Sequence, residues 1–166
     1  MEESRKDGEH LIRLVTEKDW PRLEPLWLEL YEHQREHGML IKLPPDAYRL
    51  WAESYRPLLG RFGFVFVVEE ANLLTGFLAG KLRMLPAHFG GHPVGCLTEL
   101  FVSDSHRGLG IGERLMSAGI NWYREHDVTR CELQVLATNP GARKLYRRLG
   151  WVDELVQMIR QEELER

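Results

Sequence analysis

The chain has 166 residues, 43% hydrophobic and 28% charged, with a formal net charge of -3. That length fits one domain, and that apolar fraction is ample for one packed core. The small negative charge argues against nucleic acid or an acidic membrane as a general partner, and no apolar stretch approaches the roughly 18–20 residues a membrane span needs. Met1 to Glu9 is charged and lacks the apolar region of a signal peptide. Residues 1–8 are therefore expected to be a flexible N-terminus, ahead of a single domain over 9–166. Cys96 and Cys131 fall in strand-like runs and read as small buried side chains, a usage that fits a reducing cytoplasm.

His10 to Val15 reads as a first strand, after which Thr16 and Asp19 have capping-box spacing for a helix toward Glu36. Trp20, Leu23, Trp27, Leu30 and Tyr31 give that helix an apolar stripe, Pro25 is placed to kink it, and Gly38 to stop it. Pro44, Pro45 and Asp46 open a second helix carrying Leu50, Trp51, Tyr55 and Leu58. Phe64 to Glu69 is a continuous β-branched and aromatic run, the pattern of a strand buried on both faces. A turn at Ala71 and Asn72 leads to a strand from about Leu74 to Leu85, then a loop over Pro86 to Pro93.

Cys96 to Val102 is the next strand, and it enters the most informative segment, Arg107-Gly108-Leu109-Gly110-Ile111-Gly112. The helix beyond it places Ile111, Leu115, Ala118 and Trp122 on one face. Arg130 to Ala137 reads as a strand. Asn139 and Pro140 start a helix with Ala142, Leu145, Tyr146 and Leu149 on its apolar face, Gly150 ends it, and a last strand is expected within Glu154 to Arg160. The order β-α-α-β-β-β-α-β-α-β implies a mixed sheet flanked by helices.

Strand, glycine-rich turn and helix N-terminus together make an anion cradle. Glycine lets the chain approach closely, the first helical N–H groups have no intrahelical partner, and the helix dipole adds about half a positive charge. Two better-known phosphate loops do not match. A dinucleotide fingerprint starting at Gly108 requires glycine where the chain has Glu113, and the Gly-Lys-Ser/Thr of a P-loop occurs nowhere.

The R-x-x-G-x-G pattern after a strand resembles the acyl-CoA-binding loop of the GNAT N-acetyltransferase superfamily. Two further blocks in the right order strengthen the resemblance: the strand ending Glu99-Leu-Phe-Val102, and Asn139 through Tyr146 to Gly150 and Trp151. The resemblance implies an α/β, GNAT-like fold with a mixed, mostly antiparallel twisted sheet flanked by helices. It further implies that the strands Cys96–Val102 and Arg130–Ala137 splay apart around the pantetheine of acetyl-CoA. Main-chain groups of Phe101 and Val102 would bond pantetheine and the acetyl carbonyl. Amides of Arg107, Gly108, Leu109, Gly110, Ile111, Gly112 and Glu113 would hold pyrophosphate, with the Arg107 guanidinium adding a charge-assisted contact. Asn139 is carried over as a cofactor-binding position.

Direct transfer to an amine poses two proton problems: an alkyl ammonium must lose a proton before attack, and the departing thiolate gains from receiving one. Tyr146 sits where the family commonly places the tyrosine that protonates the CoA sulfur, although its helical face also suits the core. Glu99 is the candidate base, acting directly or through water, against a reading as a solvated or salt-bridged strand residue. Gln134 matches a position where some relatives carry a carboxylate, Thr98 could only orient water, and Glu132 is a distant second candidate. Cys96 and Cys131 read as packing, not as acyl carriers. His88 and His92 lack further ligands at metal spacing, so no metal is expected.

Trp20, Trp27, Tyr31, Tyr48, Trp51 and Tyr55 fill core, with one or two available to touch substrate. The resulting expectation is an acetyl-CoA-dependent N-acetyltransferase acting on an amine-bearing acceptor, small molecule or protein, with a homodimer compatible. A non-catalytic acyl-CoA-binding or regulatory module is the alternative, and a longer acyl chain stays open.

Overall fold

A computed structural model describes residues 10–162 of the chain; residues 1–8, expected to be a flexible terminus, lie outside the described residues. Five strands, Leu11–Leu14 (β1), Gly63–Glu70 (β2), Leu73–Met84 (β3), Pro93–Val102 (β4) and Cys131–Leu133 (β5), form one sheet in sequence order. β1 to β4 pair antiparallel, and β5 joins β4 in parallel, giving the expected mixed and mostly antiparallel sheet. The β2–β3 hairpin turns through Ala71 and Asn72 at φ of 47° and 65°, the twist-matched geometry of a two-residue loop.

Helices Trp20–Glu36 (α1) and Ala47–Tyr55 (α2) cover one face, and Ile111–Glu125 (α3) and Pro140–Arg148 (α4) pack on the other. β2 is apolar throughout because it feeds both layers. Val65 and Val67 lie in the cluster with Trp20, Leu23 and Trp27, and Phe64 and Val68 in the one with Leu115, Trp122 and Tyr123. α3 comes close to the sheet because two facing strand positions lack side chains. A Cβ on Gly95 would stand 2.8 Å from the Tyr123 ring, and one on Gly80 2.5 Å from its hydroxyl.

Three expectations require correction. α1 begins at Trp20 with Asp19 as its N-cap residue, and Thr16 does not cap it. The bonds run the other way: the Thr16 N–H and hydroxyl both donate to Asp19 Oδ2 at 2.8 Å. Asp19 is drawn back from the helix by Arg13 of β1 at 2.6 Å and by Arg22 of α1 at 3.0 Å. Second, β5 is three residues long instead of spanning Arg130 to Ala137, its ladder with β4 ending at Leu97 and Leu133. Third, the strand expected within Glu154 to Arg160 does not form, so the order ends on a helix. That segment is held by side chains, Glu154 on Arg130, Gln157 on Gln134, and Asp153 on Arg143 and Arg147, beside a β5 too short to register a further strand. Cys96 and Cys131 are free thiols and half-buried.

Candidate active site

The chain leaves β4 through a single 3-10 turn, Asp104–His106, and enters α3 across Arg107, Gly108, Leu109 and Gly110. Gly108 and Gly110 have φ of 77° and 74°, the left-handed region that disfavours other residues, and a Cβ on either would meet no atom within 4 Å. The turn therefore faces open space. Gly110 caps α3 with no side chain, and the first N–H seen to bond back is that of Arg114, to the Gly110 carbonyl at 3.1 Å. Amides of the first turn are left aimed outward, as an anion requires.

The loop is tied down from behind. His106 Nε2 lies 2.9 Å from Glu70 Oε2 on β2, and its Nδ1 lies 2.9 Å from Ser103 Oγ. Neither His106 nor Glu70 stood out in the sequence; the Ser-x-x-His spacing was the one available signal. Arg107 donates from Nε to the Val102 carbonyl at 3.0 Å, pairs with Asp104 at 2.8 Å and lies over the Phe101 ring. Glu113 pairs with Arg148, linking the first turn of α3 to the end of α4.

Beside this cradle the sheet opens. The β4–β5 ladder holds only Gly95–Leu97 against Cys131–Leu133, so Thr98 to Val102 have no β5 partner. The parting begins at a bulge: Ala79 pairs with Glu99 and Gly80 with Leu97, leaving Thr98 as the extra residue. The bulge also changes which face a side chain meets. Leu97 packs with the α3 layer, whereas Phe101, two residues beyond Glu99, packs with the α1–α2 layer.

Glu99 is accordingly a buried carboxyl, 9% exposed. Its own neighbour Thr98 donates from Oγ1 to Oε2, and the Tyr31 hydroxyl of α1 reaches Oε1 at 3.4 Å. The Tyr55 hydroxyl of α2 bonds Thr98 Oγ1 in turn. The Trp51 indole N–H approaches the same carboxyl without closing a hydrogen bond of ordinary geometry. Burial pushes the Glu99 carboxyl above the usual carboxylate range, against the opposing pull of Thr98, Trp51, Lys81 and Tyr31. Tyr31 and Tyr55 are pushed up, first by burial and then by the Glu99 charge.

Tyr146 belongs to the other layer. It packs against the α3-side cluster, edge-on to Trp151 at 6.5 Å between ring centroids, and burial pushes its hydroxyl up to about 12. Glu99 and Tyr146 thus associate with opposite faces of the sheet. Asn139 caps α4, its Oδ1 accepting the Ala142 N–H at 3.1 Å. Glu132 is engaged elsewhere; burial opposes its ionisation, but ion pairs with Arg130 and Arg83 hold it below the usual range. Gln134 contacts Gln157 at 3.4 Å. Of the early aromatics, Trp20, Trp27, Tyr48 and Tyr55 are buried, while Tyr31 and Trp51 are half-buried at the margin of that cluster. Among the described residues no group of His, Cys, Asp and Glu gathers in metal-binding geometry, and no helix is long and apolar enough to cross a membrane.

Comparison with known proteins bears on the same region. A model of the acetyltransferase (GNAT) family matches residues 20–151. A mycothiol acetyltransferase of Arthrobacter sp. (strain FB24) is 34% identical over 133 residues, 77% of this chain but 39% of that protein. The chain thus spans about two fifths of that relative's length. An uncharacterized N-acetyltransferase of Archaeoglobus fulgidus is 30% identical over 135 residues, 81% of this chain and 88% of that protein. Among solved structures, an aminoglycoside N-acetyltransferase in complex with CoA shares the fold at a TM-score of 0.76 and 18% identity, covering 96% of this chain and 99% of that one.

Proposed function

The chain belongs to the acetyltransferase (GNAT) family, and from that premise we propose that it transfers an acetyl group from acetyl-CoA directly to a primary amine. The observation that carries this reading is the unpaired β4 edge from Thr98 to Val102, lying directly before the uncapped, glycine-lined start of α3. An unpaired strand edge can bond an extended amide-bearing arm, and amides at a helix start suit a pyrophosphate. Acetyl-CoA has both groups in that order and brings an activated thioester.

In this reading the amides from Gly108 to Glu113 hold the pyrophosphate, and Arg107 and Asn139 border the cofactor's path. Main-chain groups of Phe101 and Val102 hold the pantetheine arm and the acetyl carbonyl. Holding two reactants in register supplies much of the acceleration for so activated an ester. Tyr146, kept protonated by its burial, donates a proton to the departing sulfur. Glu99 accepts the proton of the acceptor's ammonium through water, since so little of its carboxyl is exposed. The raised Glu99 carboxyl is a stronger base than a solvated one, which suits removal of a proton from an amine.

Two measurements test the proposal. A melting series with acetyl-CoA, NAD and ATP is expected to show stabilisation by acetyl-CoA alone, about 2.7 kcal/mol at a hundred times the dissociation constant. Free-thiol release across a panel of alkyl amines, amino sugars and peptide N-termini is expected to identify an acceptor, with the acetylated product read by mass spectrometry. Stabilisation by NAD and not by acetyl-CoA would overturn the cradle. Tight acetyl-CoA binding with no thiol release for any amine would make the chain a cofactor-binding module instead.

A further inference from the structure

The polar groups around Glu99 come from three elements that share no sequence motif. Tyr31 stands near the middle of α1, Tyr55 ends α2, and Thr98 is the bulged residue of β4. Their hydroxyls converge on one carboxyl. Tyr31 bonds Oε1, Thr98 bonds Oε2, and Tyr55 bonds the Thr98 oxygen.

Hydrogen-bond chemistry gives this chain a direction. An ionised carboxylate only accepts, so the single Thr98 proton goes to Glu99 in preference to the Ala79 carbonyl at 3.3 Å, a longer contact to a neutral acceptor, and the Thr98 oxygen is left to accept from Tyr55. Every hydroxyl in the set therefore points its proton toward Glu99. Hydrogen bonds to a charged acceptor are the strong ones, and a carboxylate that accepts from two hydroxyls, one of them backed by a third, is held in one orientation.

We propose that Tyr31, Thr98 and Tyr55 are positioning residues, a hydroxyl cradle that orients the buried Glu99 carboxyl and stabilises its proton-accepting form. The inference rests on the base role proposed for Glu99 only where it touches catalysis; the cradle itself is a statement about the carboxyl. Tyr31 and Thr98 act on Glu99 directly, and Tyr55 acts through Thr98. The other groups facing the carboxyl are Trp51 of α2, which adds a neutral N–H, and Lys81 of β3, whose positive charge acts in the same sense. Burial opposes all of them, which is why several donors are needed to keep the ionised form accessible.

The test is a titration of the Glu99 carboxyl by carbon NMR in protein labelled at glutamate side chains, the signal being assigned by its loss in Glu99→Gln. No cofactor is present, so the readout does not depend on turnover. Thr98→Val is expected to raise the titration midpoint by about one pH unit, the tenfold change of one lost charge-assisted bond, and Tyr31→Phe, whose lost hydroxyl stands 3.4 Å from Oε1, to raise it measurably but by less. Thr98→Ser, which keeps the hydroxyl, is expected to restore it, and Tyr55→Phe to move it in the same direction by less. Midpoints unchanged in folded Tyr31→Phe and Thr98→Val would overturn the cradle. If Thr98→Val loses its cooperative melt, Tyr31→Phe decides, because it keeps the ring packed 4.3 Å from Trp27. The acid limb of the kcat/KM profile is measured on the same variants. A limb that follows the titration supports both readings; a titration that moves under an unchanged limb refutes Glu99 as the base and leaves the cradle standing.

Discussion

At the scale of single residues, burial acts on both groups of the proposed acid–base pair. A tyrosine hydroxyl keeps its proton throughout the physiological range, and burial raises that of Tyr146 further, so the proton the proposed acid role requires is in place. Tyr146→Phe keeps the ring that packs against Trp151 and removes only the hydroxyl. It is expected to lower turnover by about 10²-fold, the low end for general acid assistance because a thioester is already activated, while acetyl-CoA affinity is unchanged. Single-turnover thiol release alongside a binding titration checks this; an unchanged chemical step would return Tyr146 to the core. Glu99 carries a linked consequence for stability. Its folded carboxyl sits above its unfolded value, so its contribution is fully present below about pH 4 and is lost as pH rises through the folded value. Glu99→Gln lacks that loss. Its melting temperature relative to the parent is therefore expected to climb from acid to neutral pH, and a difference constant with pH would place the carboxyl in solvent.

At the scale of elements, the cradle depends on a backbone that other residues resist. Gly110 ends the turn at φ of 74° with empty space around it, so the objection to a side chain there is conformational and not one of crowding within the protein. Gly110→Val is expected to cost about 1–2 kcal/mol of stability from the left-handed backbone. Acetyl-CoA affinity is expected to fall further than that strain implies, since the side chain would occupy the space the anion needs. Chemical denaturation and isothermal titration measure the two effects separately. Undiminished affinity in a destabilised variant would move the pyrophosphate elsewhere. The bulge at Thr98 is the companion device: the extra residue sets Glu99 opposite Ala79 on β3, and from Thr98 onward β4 has no β5 partner.

At the scale of the whole molecule, one charge network joins strand, helix and hairpin. Asp19, 1% exposed, accepts from Arg13 of β1 and Arg22 of α1, and both arginines continue to Glu69 of β2 at 2.6 and 2.8 Å. Arg13 above all holds the Asp19 carboxyl well below the usual carboxylate range. The stabilisation is therefore present above the unfolded value near 3.9 and is lost as pH falls through the lower folded one. Asp19→Asn is expected to cost about 3 kcal/mol at pH 7, the low end for breaking a buried pair because both arginines retain some solvent. The penalty is expected to shrink in strong acid, where the parent loses the same charge; urea titrations at several pH values check it, and a penalty that does not vary would make the role one of packing.

The sequence by itself determined the alternation of strands and helices as far as α4, the glycine turn and the identity of the family, because each is written in local terms. Apolar period, Gly and Pro punctuation and an Asn-Pro helix start act over a few residues, and Asn139 caps α4 as that signal requires. Glu99 and Tyr146 could be singled out as candidates for the same reason, each lying in a recognisable short block. Tertiary structure decided what depends on partners distant in the chain. Thr16 lost its capping role because Arg13 and Arg22 claim Asp19, an interaction no local window contains. β5 pairs with β4 for three residues and stops where β4 carries its bulge, and that bulge is visible only against Ala79 and Gly80 of β3. Tyr31 and Tyr55 looked like core filling because their helical spacing is that of core. Their hydroxyls meet Glu99 across separations of 68 residues, and of 43 residues by way of Thr98, and only the packing of two helices on one face of a sheet brings such groups together.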